Sequence, residues 1–333
     1  MAESDPFLPQ PPARLLDADP ARRTSTTFDS DGHRLAAHLY RPPAARDNET
    51  MPGIVMCGPV SSVKEQTLPH YAERFADAGY TVLTFDPRGF GESEGEPRAH
   101  YDPWLVIADY VNAAAHLMGH PEIDATRVAV VGVCMGGGYA LAVAARERRL
   151  AACVSIAGGY DIGGTMQAAL GPDALAAYVR RANELHDRQR RSGDVAYIPT
   201  IARELSADVP LALMPTAEAY SYYDRTSRNH APTWSSRTTA ASLEPYLTFN
   251  AISQAPLVAP TPLLIVHGTG DTVLLPVKAQ AAYDVATGPK ELVWVETDNH
   301  IELYDQDPYV TEAVGHVLRW LSGIVRAPED RSA

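Results

Sequence analysis

The sequence predicts an α/β fold, a mostly parallel central sheet flanked by helices, with one helical segment inserted between two of its strands. Three observations lead there. Short apolar runs alternate with amphipathic stretches, as strand-helix-strand units require. One such run, residues 128–133, passes through a small-residue turn into a helical stretch at 136–145. The alternation stops near residue 161 and resumes at 262, which marks the chain between as an insertion.

Taken in order, residues 1–23 are acidic and proline-rich and read as a loose tail. Residues 24–28 and 35–40 flank Ser30-Asp31-Gly32 and predict an antiparallel hairpin. Residues 53–57 form an apolar strand, 69–78 an amphipathic helix ended by Gly79, and 81–85 the next strand. A helix at 104–118, the strand at 128–133, the helix at 136–145 and a strand at 151–157 continue the pattern. The segment 161–255 is helical and polar, dense in charge from Arg180 to Arg191 and rich in Tyr and Trp after Tyr220, which predicts a cap. A strand at 262–267, a helix at 277–285, a strand at 291–296 and a helix at 308–325 complete the core. The division is therefore a core of 24–160 and 256–325, a cap of 161–255, and tails at 1–23 and 326–333.

Composition narrows the function. With 333 residues, 45% of them hydrophobic, the chain can bury a full core, and a net charge of −13 repels phosphate backbones, so nucleic acid is not an expected partner. Cys57, Cys134 and Cys153 are an odd set without metal-ligand spacing, which argues against a disulfide framework or a metal site and for a reducing compartment. No stretch is apolar enough to span a bilayer, so a cytoplasmic protein with no membrane partner is expected. Neither cofactor nor metal is called for. The expected partner is a small-molecule substrate, and assembly as a homodimer is left open.

The sharpest local signal is Gly132-Val133-Cys134-Met135-Gly136 at the strand-to-helix turn. Glycines two positions either side of a central residue let strand and helix approach, while the central side chain projects at a helix N-terminus. There the amide groups and helix dipole favour a thiolate over the free thiol, whose pKa is about 8.5. Cys134 is the candidate nucleophile. Asp271, in His267-Gly268-Thr269-Gly270-Asp271, follows the strand at 262–267, and His300, in Asp298-Asn299-His300, follows the strand at 291–296. They are the candidate orienting acid and general base. His267 is the competing base, but on the strand side of its turn it reads as structural.

These features, with Asp86-Pro87-Arg88-Gly89-Phe90-Gly91-Glu92-Ser93, resemble the α/β-hydrolase superfamily over roughly residues 24–325. The order Cys134, Asp271, His300 is the order of that superfamily's triad. The cysteine resembles that of dienelactone hydrolases, and the layout with a cap before the acid is similar to capped hydrolases related to peptidases and to enzymes of bacterial polyketide pathways. The resemblance implies an oxyanion hole from the backbone NH groups of Met135 and Val60. The loop Cys57-Gly58-Pro59-Val60-Ser61-Ser62 departs from the usual His-Gly, and Pro59 has no NH to give. Ser61, Arg88, Tyr222, Tyr223 and Trp234 are candidate pocket residues. The expected activity is hydrolysis of an ester, lactone or thioester with a medium to large, partly apolar substrate. Acyl transfer, cyclisation or elimination of a small carboxylate in polyketide tailoring is an alternative, and so is ligand binding without catalysis.

Overall fold

The computed structural model describes residues 5–43, 50–204 and 211–325. Strands β1 (Arg23–Ser30) and β2 (His33–Tyr40) form the expected hairpin, turning at Asp31 and Gly32, both at positive φ, as a two-residue turn between right-twisted strands requires. The wound part follows as β3 (Met51–Cys57), α1 (Leu68–Asp77), β4 (Thr81–Phe85), α2 (Pro103–Met118), β5 (Ile123–Val133), α3 (Met135–Ala144) and β6 (Ala152–Ile156). The inserted segment carries α4 (Ile162–Leu170), α5 (Pro172–Ser192), α6 (Ala217–Asn229) and α7 (Leu243–Thr248). The core then closes with β7 (Leu263–Gly268), α8 (Pro276–Val285), β8 (Lys290–Val295), the short α9 (Glu302–Asp305) and α10 (Tyr309–Leu321).

The eight strands lie in the order β8-β7-β6-β5-β3-β4-β2-β1. From β3 to β8 neighbouring strands are parallel, and the hairpin joins antiparallel at one edge. Every residue of β3, β4, β6 and β7 is buried, because helices cover both faces. That is why these strands read as unbroken apolar runs rather than alternating ones.

Two parts of the chain differ from the sequence expectation. Residues 14–22 are not a loose tail: Arg14–Leu15 pairs antiparallel with Gln306–Asp307, the Leu16 amide donates to the Asp305 carbonyl at 2.7 Å, and the Asp19 amide donates to Glu73 at 2.8 Å. The inserted segment, expected as a helical cap, is not purely helical. Tyr197–Pro199 pairs antiparallel with Arg237–Thr239, and Ile201–Ala202 pairs parallel with Met214–Pro215. Ribbons of two or three residues are too short to leave a period in the sequence. The tail at 326–333 lies outside the described residues. Among the described residues no helix is long and apolar enough to cross a membrane.

Candidate active site

The site assembles where β5, β7 and β8 end, in a cleft that residues of the inserted segment also line. Cys134 sits between β5 and α3 with φ +58° and ψ −126°, a conformation costly for a residue with a Cβ. The glycines around it explain how it is held. A Cβ on Gly132 would fall on the Gly136 carbonyl, and one on Gly136 would fall on the Cys57 carbonyl. The Gly136 amide meanwhile donates to the Gly58 carbonyl at 3.1 Å, tying the elbow to the loop after β3.

Beyond β7, one oxygen of Asp271 accepts the Val273 and Leu274 amides at 3.0 and 2.7 Å, and the other lies 2.5 Å from His300 Nδ1. Both side chains are buried, at 2% exposure each. Burial disfavours charge on either, yet each holds the other's charge: the Asp271 carboxyl stays below its ordinary range and the His300 imidazole stays well above its own. Cys134 and His300 line the same cleft. His267 lies near Asp271 as well, its Nε2 3.6 Å from the same carboxylate oxygen that His300 meets. Its Nε2 donates to the Leu274 carbonyl at 2.7 Å, and burial lowers its pKa.

The other sequence candidates are distributed as follows. Val60 and Met135 flank the cleft above Cys134, and among the described residues neither amide donates to a protein acceptor. Ser61 is buried beside Tyr223 with φ +58° and does not line the cleft. Tyr223 lines the cleft and its hydroxyl donates to the Val60 carbonyl at 2.6 Å, fixing the loop that carries the Val60 amide. Tyr222 and Trp234 stand behind the wall. Tyr222 meets Tyr304 edge-on at 4.8 Å, and Trp234 stacks on Tyr223 at 5.0 Å. Arg88 is far from this cleft in its bonding: it holds Asp109 and Asp31, pinning α2 to the hairpin.

Two residues that the sequence did not single out belong here. The Tyr304 hydroxyl lies 3.0 Å from His300 Nε2, from a position four residues on along a helical turn. Glu218, on the cap helix α6, accepts the Thr272 hydroxyl at 2.7 Å and the His300 amide at 2.8 Å, so one carboxylate clamps both loops. The H-x-x-x-Y spacing was a readable signal for the first; nothing local announces the second.

The cleft encloses about 620 Å³ with its open mouth included. Its walls are mostly apolar, with Ile162 and Met166 of α4, Leu213 and Met214 before α6, and Val273 and Leu274 beyond β7. Among the described residues no group of three or more His, Cys, Asp or Glu is arranged to hold a metal ion.

The chain is similar to several known proteins. The family model for the X-Pro dipeptidyl-peptidase (S15) family matches residues 31–302. An uncharacterized protein of Pseudomonas aeruginosa is 31% identical over 87% of this chain and 78% of its own length, and its solved structure superposes with a TM-score of 0.78 over 97% of this chain and 98% of its own. A thiohydrolase of Aspergillus aculeatus is 29% identical over 81% of this chain and 83% of its own length. A polyketide transferase of Penicillium is 27% identical over 86% of this chain and 92% of its own length. The solved structure of an α/β hydrolase from Penicillium, 23% identical, gives a TM-score of 0.77 over 91% of this chain and 99% of its own.

Proposed function

The chain belongs to the X-Pro dipeptidyl-peptidase (S15) family and has the α/β-hydrolase fold, and from that premise we propose that it performs acyl chemistry on an ester or thioester through Cys134, His300 and Asp271. The observation that carries the reading is the buried contact of 2.5 Å between His300 Nδ1 and Asp271 in the same cleft as the strained Cys134. Asp271 fixes the imidazole tautomer, leaving Nε2 to take the thiol proton. The sulfur then attacks the carbonyl carbon, and the Met135 and Val60 amides receive the developing oxyanion. Collapse expels the alcohol or thiol, protonated by His300, and leaves an acyl group on Cys134.

The substrate class follows from the walls. A dipeptidyl-peptidase must pair its substrate's free ammonium group, but among the described residues no carboxylate lines the cleft, and both oxygens of the nearby Glu218 are already engaged. An apolar acyl chain suits the Ile, Met, Leu and Val walls. The relatives described as a thiohydrolase and a polyketide transferase favour the same substrate class. The test is a panel of acyl thioesters, activated esters and an X-Pro peptide amide, assayed with the unsubstituted protein and with Cys134→Ala. Turnover of thioesters or esters that vanishes in the variant supports the reading. Turnover of the peptide alone, or turnover that survives in Cys134→Ala, overturns it.

A further inference from the structure

We propose that the cavity between the N-terminal segment and helices α1, α6 and α9 is a second binding site, separate from the catalytic cleft, and that it takes a small neutral polyol, a sugar alcohol or monosaccharide.

The cavity encloses about 1120 Å³ with its open mouth included, and among the described residues none lines both it and the cleft at Cys134. Residues 15–18 and Pro20 form one wall, which is fastened at both ends. Arg14–Leu15 pairs with Gln306–Asp307, and the Asp19 amide donates to Glu73 of α1 at 2.8 Å. The other walls include Glu65 in the loop after β3, His70 of α1, Arg225 of α6 and Asp305 of α9. Each of these four side chains holds a buried polar atom with no partner among the described residues: Glu65 Oε2, His70 Nδ1, Arg225 Nε and Asp305 Oδ1. Buried polar atoms in folded proteins are nearly all bonded, so four around one cavity mark it as a place where partners come from outside the chain. The side chains are not loose. The other Glu65 oxygen lies 2.9 Å from Lys64 Nζ, and the other Asp305 oxygen accepts from Arg225 at 2.9 Å. Asp305 is 2% exposed and His70 9%.

The class of ligand follows from what is unmatched. Two carboxylate oxygens need a donor, one guanidinium NH needs an acceptor, and the His70 imidazole, which burial keeps neutral, takes either. A hydroxyl group both donates and accepts, so several hydroxyls on one small skeleton supply every kind of partner the walls require. Among the charged groups that line the cavity, Arg23 and Arg225 stand against Asp17, Glu65 and Asp305, so the two signs nearly cancel. An ion entering there would lose its hydration for little net attraction, whereas a neutral polyol has no charge to strip of water.

The test is isothermal titration calorimetry of the full chain with xylitol, myo-inositol and glucose at millimolar concentration, set against inorganic phosphate and butylamine. At least one polyol is expected to bind with one-to-one stoichiometry, and more tightly than either ion. In Asp305→Asn the amide oxygen stays with Arg225 and an NH2 group stands where Oδ1 stood, so Kd for that polyol is expected to rise about tenfold or more, the equivalent of one hydrogen bond to a charged group. Ala18→Trp puts an indole into the N-terminal wall without touching the charged groups and is expected to abolish binding. A thermal melt of each variant shows that it is folded, and if Asp305→Asn does not fold, Ala18→Trp decides. Absence of binding by every polyol, which would make the cavity a solvent-filled space only, tighter binding of phosphate or butylamine, or an unchanged Kd in either folded variant overturns the inference.

Discussion

At the scale of single residues, the three cysteines differ in placement more than in chemistry. Cys57 and Cys153 lie within the sheet, where burial pushes their thiols up, whereas Cys134 opens onto the cleft beside His300. Iodoacetamide followed by peptide mapping is expected to label Cys134 first, and equal labelling of Cys153 would contradict its assignment as nucleophile. The Asp271 carboxylate accepts two amides on one oxygen and His300 on the other, so its replacement changes which imidazole tautomer is preferred. Asp271→Asn is expected to lower kcat by about a hundredfold or more, within the range a general base contributes, while a non-reactive substrate analogue still binds. Loss of binding in parallel with loss of rate would instead make Asp271 a structural residue.

At the scale of elements, the site depends on pieces that never meet the substrate. Glu218 brings the cap helix α6 onto the acid and base loops at once, and Glu218→Gln puts an amide NH2 where one acceptor stood. A fall of about tenfold in kcat with KM little changed is expected, since misplaced catalytic loops cost rate before binding. An unaltered kcat would remove Glu218 from the positioning scheme. The loop after β3 has its own anchor. Lys64, 1% exposed, bonds Asp86 at 2.9 Å and Glu92 at 2.6 Å, and its amide also donates to Asp86. Burial opposes the lysine's charge, but the carboxylates outweigh it and raise its pKa. Lys64→Met strands the fully buried Asp86, and urea denaturation is expected to show a loss of about 3–5 kcal/mol. A change below about 1 kcal/mol would mean that Asp86 finds another partner or protonates without cost.

At the scale of the whole molecule, two histidines away from the cleft link stability to pH. Burial first, then nearby arginines and Lys64 in the case of His38, lower His38 and His70 to about 3. The unfolded chain binds protons on these rings near pH 6.5, so the stability they contribute is complete above that pH and is lost as pH falls toward 3. Thermal unfolding is expected to give a Tm that drops steadily from pH 6.5 to pH 4, and a flat Tm across that window would contradict the buried, neutral assignment. Much of this molecule was legible in its sequence because parallel strands write apolar runs, and Cys134, Asp271 and His300 lie one, three and five residues beyond the ends of three strands. Glu218 was not, because a contact made across the inserted segment leaves no mark at the strand ends, and Tyr304 is marked only by its spacing of four residues from His300. Arg88 sits in a recognisable turn, yet tertiary packing commits it to Asp109 and Asp31. The most direct measurement is the mass of the intact protein after brief exposure to an acyl thioester, with the modified peptide mapped. The account requires one added acyl group on Cys134, formed far more slowly in His300→Ala and absent in Cys134→Ala. Thioester turnover with no adduct and no dependence on Cys134, or an adduct on Cys57 or Cys153, would contradict it.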